Sequence, residues 1–81
     1  MLKAVVNGNF AELQFRTTVD GLVKFSLMDM QGRVVAERSF GNLAAGTHMQ
    51  TLDMANLRNG GYIGVLHVNN RVVERTKLVK K

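Results

Sequence analysis

Two histidines, two serines and six carboxylates are the first side chains to consider for acid–base, nucleophilic or metal chemistry in this chain of 81 residues. Their spacing supports none of it. His48 and His67 lie far apart, each inside an alternating apolar stretch, which reads as two strand-rim residues rather than as a pair of metal ligands. Ser26 and Ser39 lack the glycine-flanked turn that would expose a nucleophile. Glu12, Asp20, Asp29, Glu37, Asp53 and Glu74 show no pairing suited to acid–base work, and Asp20 and Asp29 stand where turns are expected. With no cysteine, neither a thiolate metal site nor a disulfide framework is available. The reading is therefore not an enzyme, with no catalytic, cofactor-binding or metal-binding residue and no cofactor.

Charge is the chemistry that remains. The formal net charge is +5, and Arg71, Arg75, Lys77, Lys80 and Lys81 place five of the eleven basic residues in the last eleven positions, against the single acid Glu74. The plain reading is a solvated strand face with a frayed charged end. The functional reading is a surface that a partner recognises by edge pairing and charge steering. Nucleic acid is not the expected partner: single-strand binders interleave basic residues with stacking aromatics, and this chain has four Phe, one Tyr and no Trp. The same shortage weighs against an adhesive or carbohydrate-binding module, the main alternative among sandwich functions. A plain spacer would not require a basic closing strand.

Those residues must be held by something, and the apolar pattern says what. Ala11, Leu13 and Phe15 alternate with Glu12, Gln14 and Arg16, and Val23, Phe25 and Leu27 alternate with Lys24 and Ser26. A period of two marks half-buried strands, and helical spacing is nowhere sustained. Asp20-Gly21 between these runs predicts a hairpin turn with Gly21 at positive φ, and Met30-Gln31-Gly32-Arg33 predicts another that leads into Val34 to Phe40. Gly41 to Thr47 reads as a longer connection in which the chain changes sheets; His48 to Asp53 resumes the alternation, and Ala55-Asn56-Leu57 offers one helical turn at most. Tyr62 to Val68 and Arg71 to Val79 form a closing hairpin around Asn69-Asn70.

With a weak opening strand at Leu2 to Val6, the count reaches seven. Seven short strands at roughly ten-residue spacing predict an all-β, seven-stranded antiparallel immunoglobulin-like β-sandwich. A composition of 46% hydrophobic and 21% charged residues suits one small packed domain over residues 1–81. A strand running to the last residue suggests a C-terminal module of something larger. Met1-Leu2-Lys3 is cut short by Asn7-Gly8-Asn9 before any signal-peptide core develops. No apolar run approaches the roughly 18 residues of a membrane helix, so stable membrane insertion is not expected. Lys24, Arg38, Arg75 and Lys77 point outward in this reading and would discourage edge pairing, although a weak homodimer through an exposed edge strand is compatible with it.

The order of the pieces carries a resemblance. Asn7-Gly8-Asn9-Phe10, Asp29-Met30-Gln31-Gly32-Arg33-Val34-Val35, Leu43-Ala44-Ala45-Gly46-Thr47-His48, Leu52 to Ile63 with Leu57, Gly60, Gly61 and Tyr62, and the Lys77-Leu78-Val79-Lys80 end follow one another over nearly the whole chain. This series resembles the type A C-terminal sorting domain of the bacterial type IX secretion system. Where the family usually opens on Asn-Pro before an apolar residue, this chain carries Gly8.

The resemblance implies a secretion and sorting signal for an upstream cargo, read in the periplasm of a Gram-negative bacterium by the outer-membrane translocon and its shuttle proteins. It further implies cleavage by a sortase-like surface peptidase and a secreted or cell-surface destination. Lys77, Leu78, Val79, Lys80 and Lys81 are the segment assigned to recognition, and Gly32, Arg33, Gly46, Leu57, Gly60 and Tyr62 are the family motif. Each motif residue also has a plain structural reading. Gly32 would close a turn beside an exposed Arg33, Gly46 and Gly60 would relieve loop exits, and Leu57 and Tyr62 would anchor the core with the Tyr62 hydroxyl at its rim.

Overall fold

Residues that alternate in the sequence alternate in space. A computed structural model describes residues 1–81 as seven strands: β1 (Leu2–Asn7), β2 (Phe10–Thr17), β3 (Gly21–Asp29), β4 (Val34–Leu43), β5 (Gly46–Asp53), β6 (Gly60–Val68) and β7 (Arg71–Lys80). They form two antiparallel sheets, ordered β1-β2-β5 and β4-β3-β6-β7. This is the expected all-β sandwich, with the fourth strand on the side of β3, β6 and β7 rather than beside β5, as a constant-type immunoglobulin domain would have it.

The core lies between the sheets. Ala11, Leu13 and Phe15 of β2 face Val23, Phe25 and Leu27 of β3, all fully buried, with Leu52, Met54, Tyr62, Leu66, Val68 and Leu78 completing the cluster. Met54 has no accessible surface although it lies past the end of β5, so the β5–β6 loop contributes a core side chain that the alternation pattern does not mark. Phe25 lies across Gly64 of β6: a Cβ on Gly64 would sit 2.3 Å from Phe25 Cζ and 2.9 Å from Leu78 Cδ1. Gly64 thus makes room for Phe25, the one aromatic on β3, in the core.

The Asn69-Asn70 hairpin forms as its sequence suggests, both residues adopting positive φ, at 52° and 66°. The Asp20-Gly21 expectation fails. β2 and β3 belong to different sheets, so the link between them is a crossing and not a hairpin, and Gly21 is not in the positive-φ region. Its lack of a side chain serves space instead, because a Cβ there would lie 2.3 Å from Asn69 Oδ1. Asn69 needs that space: its carboxamide accepts from Leu22 N at 3.0 Å while its own N–H donates to Leu22 O at 2.9 Å. Asp20 ties the same end to the neighbouring link, its Oδ1 accepting from Ala45 N at 2.7 Å.

The chain does change sheets between β4 and β5, but through Ala44 and Ala45 alone. Gly41 to Leu43 remain paired with β3, after a bulge that inserts Phe40 and turns Gly41 to a φ of 76°. No helical turn forms at Ala55 to Leu57; a single Leu57 N to Met54 O bond of 3.0 Å closes that bend.

Gly64→Ala is expected to destabilise the domain by about 1–3 kcal/mol, because the added methyl must displace Phe25 or Leu78 from a filled core. Urea unfolding followed by circular dichroism measures it, with Gly61→Ala, whose added Cβ would meet only Met30, its Sδ at 3.5 Å, and whose φ is not positive, as the comparison free of a steric clash.

Candidate functional site

Strand direction sorts the loops onto two ends. One end carries the β1–β2 turn, the β3–β4 turn, the β5–β6 loop and the close of β7; the other carries the start of β1, the β2–β3 and β4–β5 links and the Asn69-Asn70 turn. Of the six motif residues, five, Gly32, Arg33, Leu57, Gly60 and Tyr62, gather at the first end. Gly46 does not; it opens β5 at the opposite end, beside the Ala45 amide held by Asp20.

The β3–β4 turn is organised by one carboxylate. Asp29 Oδ1 accepts from Gln31 N at 2.9 Å and Arg33 N at 3.0 Å, while Oδ2 accepts from Arg33 Nε at 2.9 Å. Gly32 N closes the turn on Asp29 O at 3.0 Å, with Gly32 at a φ of 87° that other residues rarely adopt. The Arg33 N–H, together with the Arg33 guanidinium and the Gln31 N–H, holds the Asp29 carboxyl below its ordinary pKa against an opposing desolvation. Arg33 is exposed, as expected, but committed to its own turn.

The β5–β6 loop, residues 54 to 59, has no regular structure and is held by its neighbours. Met54 N donates to Asn9 O at 2.7 Å from the β1–β2 turn, and Ala55 N donates to Asp53 Oδ1 at 2.8 Å. Tyr62 is buried, and its hydroxyl donates to the Arg58 carbonyl, which matches the expected core anchor with a polar rim. Leu57 is half-buried against the core. Between this loop and the β3–β4 turn lies an open hollow of about 630 Å³ lined by Asp29, Met30, Gln31, Arg33, Val35 and residues 56 to 62. Met30 lies over Gly61, whose missing side chain leaves it room.

The segment expected to be recognised, Lys77 to Lys81, splits by pleat. Lys77, Val79 and Lys81 are exposed, whereas Leu78 is a core residue and Lys80 is only 6% exposed. Lys80 Nζ donates to Met54 O and to Leu57 O, each at 2.8 Å. The expectation of a frayed, charged end is therefore corrected at Lys80. Its position on the inward side of β7, after Leu78, carries the long side chain under the sandwich edge to two carbonyls that no strand partner satisfies.

Elsewhere, Lys24, Ser26, Glu37, His67 and Arg75 share the outer face of the larger sheet around a shallow hollow of about 430 Å³. There Ser26 Oγ donates to Glu37 Oε2 at 3.2 Å and lies 3.4 Å from His67 Nε2. Glu37 does not touch His67 in this arrangement, so it orients no base toward the serine. His48 Nε2 donates to Ala44 O at 2.7 Å and its ring packs on Phe15, a loop-capping role that fits a rim residue.

The family model for the secretion system C-terminal sorting domain matches residues 6–81. The chain belongs to that family. It is thus a type IX secretion C-terminal sorting signal, in a family that is not an enzyme family. Such a signal implies an upstream cargo, contact with the secretion machinery, and a secreted or cell-surface protein exported across the outer membrane. No curated protein matches the chain. The sorting domain's motif residues were legible as a series; that five of them share one end, and that Lys80 and Met54 complete it, was not.

Two outcomes are expected from this geometry. Tyr62→Phe should lower stability by about 1 kcal/mol, the worth of one hydrogen bond, as measured by chemical denaturation. Because the Asp29 pKa is depressed on folding, the stability it lends is present above the ordinary carboxyl pKa of about 4 and is lost as pH falls through its lower folded value. The Arg33 amide resonance should accordingly report loosening of the turn only at pH below about 4.

Proposed function

We propose that the sorting domain is read at the end of the sandwich that holds the β3–β4 turn, the β5–β6 loop and the close of β7. The observation that carries this is the gathering of Gly32, Arg33, Leu57, Gly60 and Tyr62 at one end, where Arg58 and Asn59 are exposed. Lys77, Val79 and Lys81 extend this surface along the outer face of β7. Any cargo preceding β1 joins at the far end, so it leaves this end open to a partner. Arg58, Lys77 and Lys81, which form no salt bridge within the domain, would steer an acidic surface toward it.

In this reading the outer-membrane translocon and its shuttle proteins bind the end from the periplasm of a Gram-negative bacterium. A sortase-like surface peptidase then removes the domain and attaches the cargo to the surface. The edge strands β4 and β5 would support a weak homodimer at most. The adhesive or carbohydrate-binding alternative has little to use, since Phe10 is the one exposed large aromatic.

A reporter fused upstream of residues 1–81 tests the proposal in a bacterium with a type IX system and in a strain lacking its outer-membrane translocon. Reporter outside the cell only in the intact strain is expected, and export should fall severalfold for the Lys77→Ala/Lys81→Ala pair without loss of folding. Reporter retained in the periplasm of both strains would overturn the sorting proposal. Unchanged export of the double variant would remove the β7 cations from the surface.

A further inference from the structure

The two closing lysines are chemically identical neighbours with opposite environments, and the ammonium of the buried one hydrogen-bonds only to the β5–β6 loop. Residues 54 to 59 have no strand ladder. Their shape rests on Met54 N to Asn9 O, on the Leu57 N to Met54 O bend, on the Tyr62 hydroxyl at Arg58 O, and on Lys80 Nζ at both Met54 O and Leu57 O. Lys80 is the one group that grips the bend at both of its ends, since Met54 O and Leu57 O bracket it. Without that grip, Leu57 O loses the partner it has here, in a place only partly open to water.

Where Lys80 sits is decided by β7. Lys80 pairs with Gly60, and Leu78 with Tyr62. β7 is bonded only to β6; on its other side β1 runs alongside without a ladder, leaving a groove of about 440 Å³ lined by Ala4, Val5, Val6, Lys77, Leu78 and Val79 among others. An edge strand with one bonded neighbour is the part of a sheet that a competing strand most readily displaces.

We propose, building on the sorting function above, that Lys80 is a positioning residue which couples the seating of β7 to the shape of the 54–59 loop. While β7 is paired, Lys80 holds the loop that faces the secretion machinery. When β7 is drawn away, the same movement withdraws Nζ and releases the loop. Lys80 then serves export without being touched by the partner, and Lys81 does not share its role.

Amide hydrogen exchange of the chain with Lys80→Met tests this, since methionine keeps the length and apolar stem of lysine but donates nothing; Lys81→Met is the control. Exchange at Leu57 and Met54 is expected to quicken roughly tenfold in Lys80→Met, as the loss of hydrogen bonds to a charged group implies, with the β3–β6 ladder and the Lys81→Met chain unchanged. Equal loop exchange in both variants, or a uniform quickening everywhere, would overturn the coupling.

Should Lys80→Met not fold, native-state exchange of the unsubstituted chain in low urea decides the matter. Leu57 and Met54 must open in one unit with residues 77 to 80, and independent opening overturns the proposal. Export of the fused reporter separates the two readings. Export lost in Lys80→Met with loop exchange unaltered means that Lys80 is read directly, which overturns positioning and leaves sorting intact. Quickened exchange with export undiminished supports positioning and removes the loop from the recognised surface.

Discussion

Phe25 lies over Gly64 of the neighbouring strand β6, where there is no side chain to stop it, and the core cluster it shares with Phe15 and Leu13 of the other layer joins two sheets that share no hydrogen-bonded strand. There is no cysteine to staple them. Packing between the layers is therefore the constraint on which the rest depends, and it is a narrow one in a chain with only 17 buried residues. Every loop that passes from one sheet to the other has to be fixed without help from the ladders.

The chain crosses between sheets three times, and each crossing is pinned by side chains that bond to backbone. At one end, Asp20 holds Ala45, and Asn69 holds Leu22, so the β2–β3 and β4–β5 links and the β6–β7 turn form one hydrogen-bonded group. At the other end the third crossing, β5 to β6, is held by Tyr62 and Lys80. The residues that the resemblance picks out as a motif fall mainly at this second end. In the proposed reading fold maintenance and recognition use the same few residues, so substitutions there must be judged by exchange or stability as well as by export.

How much of this was legible depended on whether the signal was periodic or spatial. The alternation of Ala11 to Phe15 and of Val23 to Leu27 marked their inward faces, and Asn69-Asn70 marked its hairpin, because side-chain direction and positive φ are local properties. Asp20-Gly21 misled for the same reason: the dipeptide fits a hairpin locally, but the stacking of β2 over β3 sends the chain to the other sheet, and Gly21 answers to the Asn69 side chain 48 positions on. Gly64 and Met54 were missed because their importance lies in a partner across the core. Lys80 was read with Lys81 as solvated charge. Only the pleat, counted inward from Leu78, distinguishes them, and only the structure shows carbonyls waiting beneath the edge.

The central claim is that one end of the sandwich meets the secretion machinery while the other is left to the cargo, and site-specific photocrosslinking in secreting cells measures it most directly. A crosslinker placed at exposed Asn59 or Lys77 should capture an outer-membrane component of the type IX system, and one at Asn70, exposed at the opposite end, should not. Capture from Asn70 with none from Asn59 or Lys77 would contradict the account.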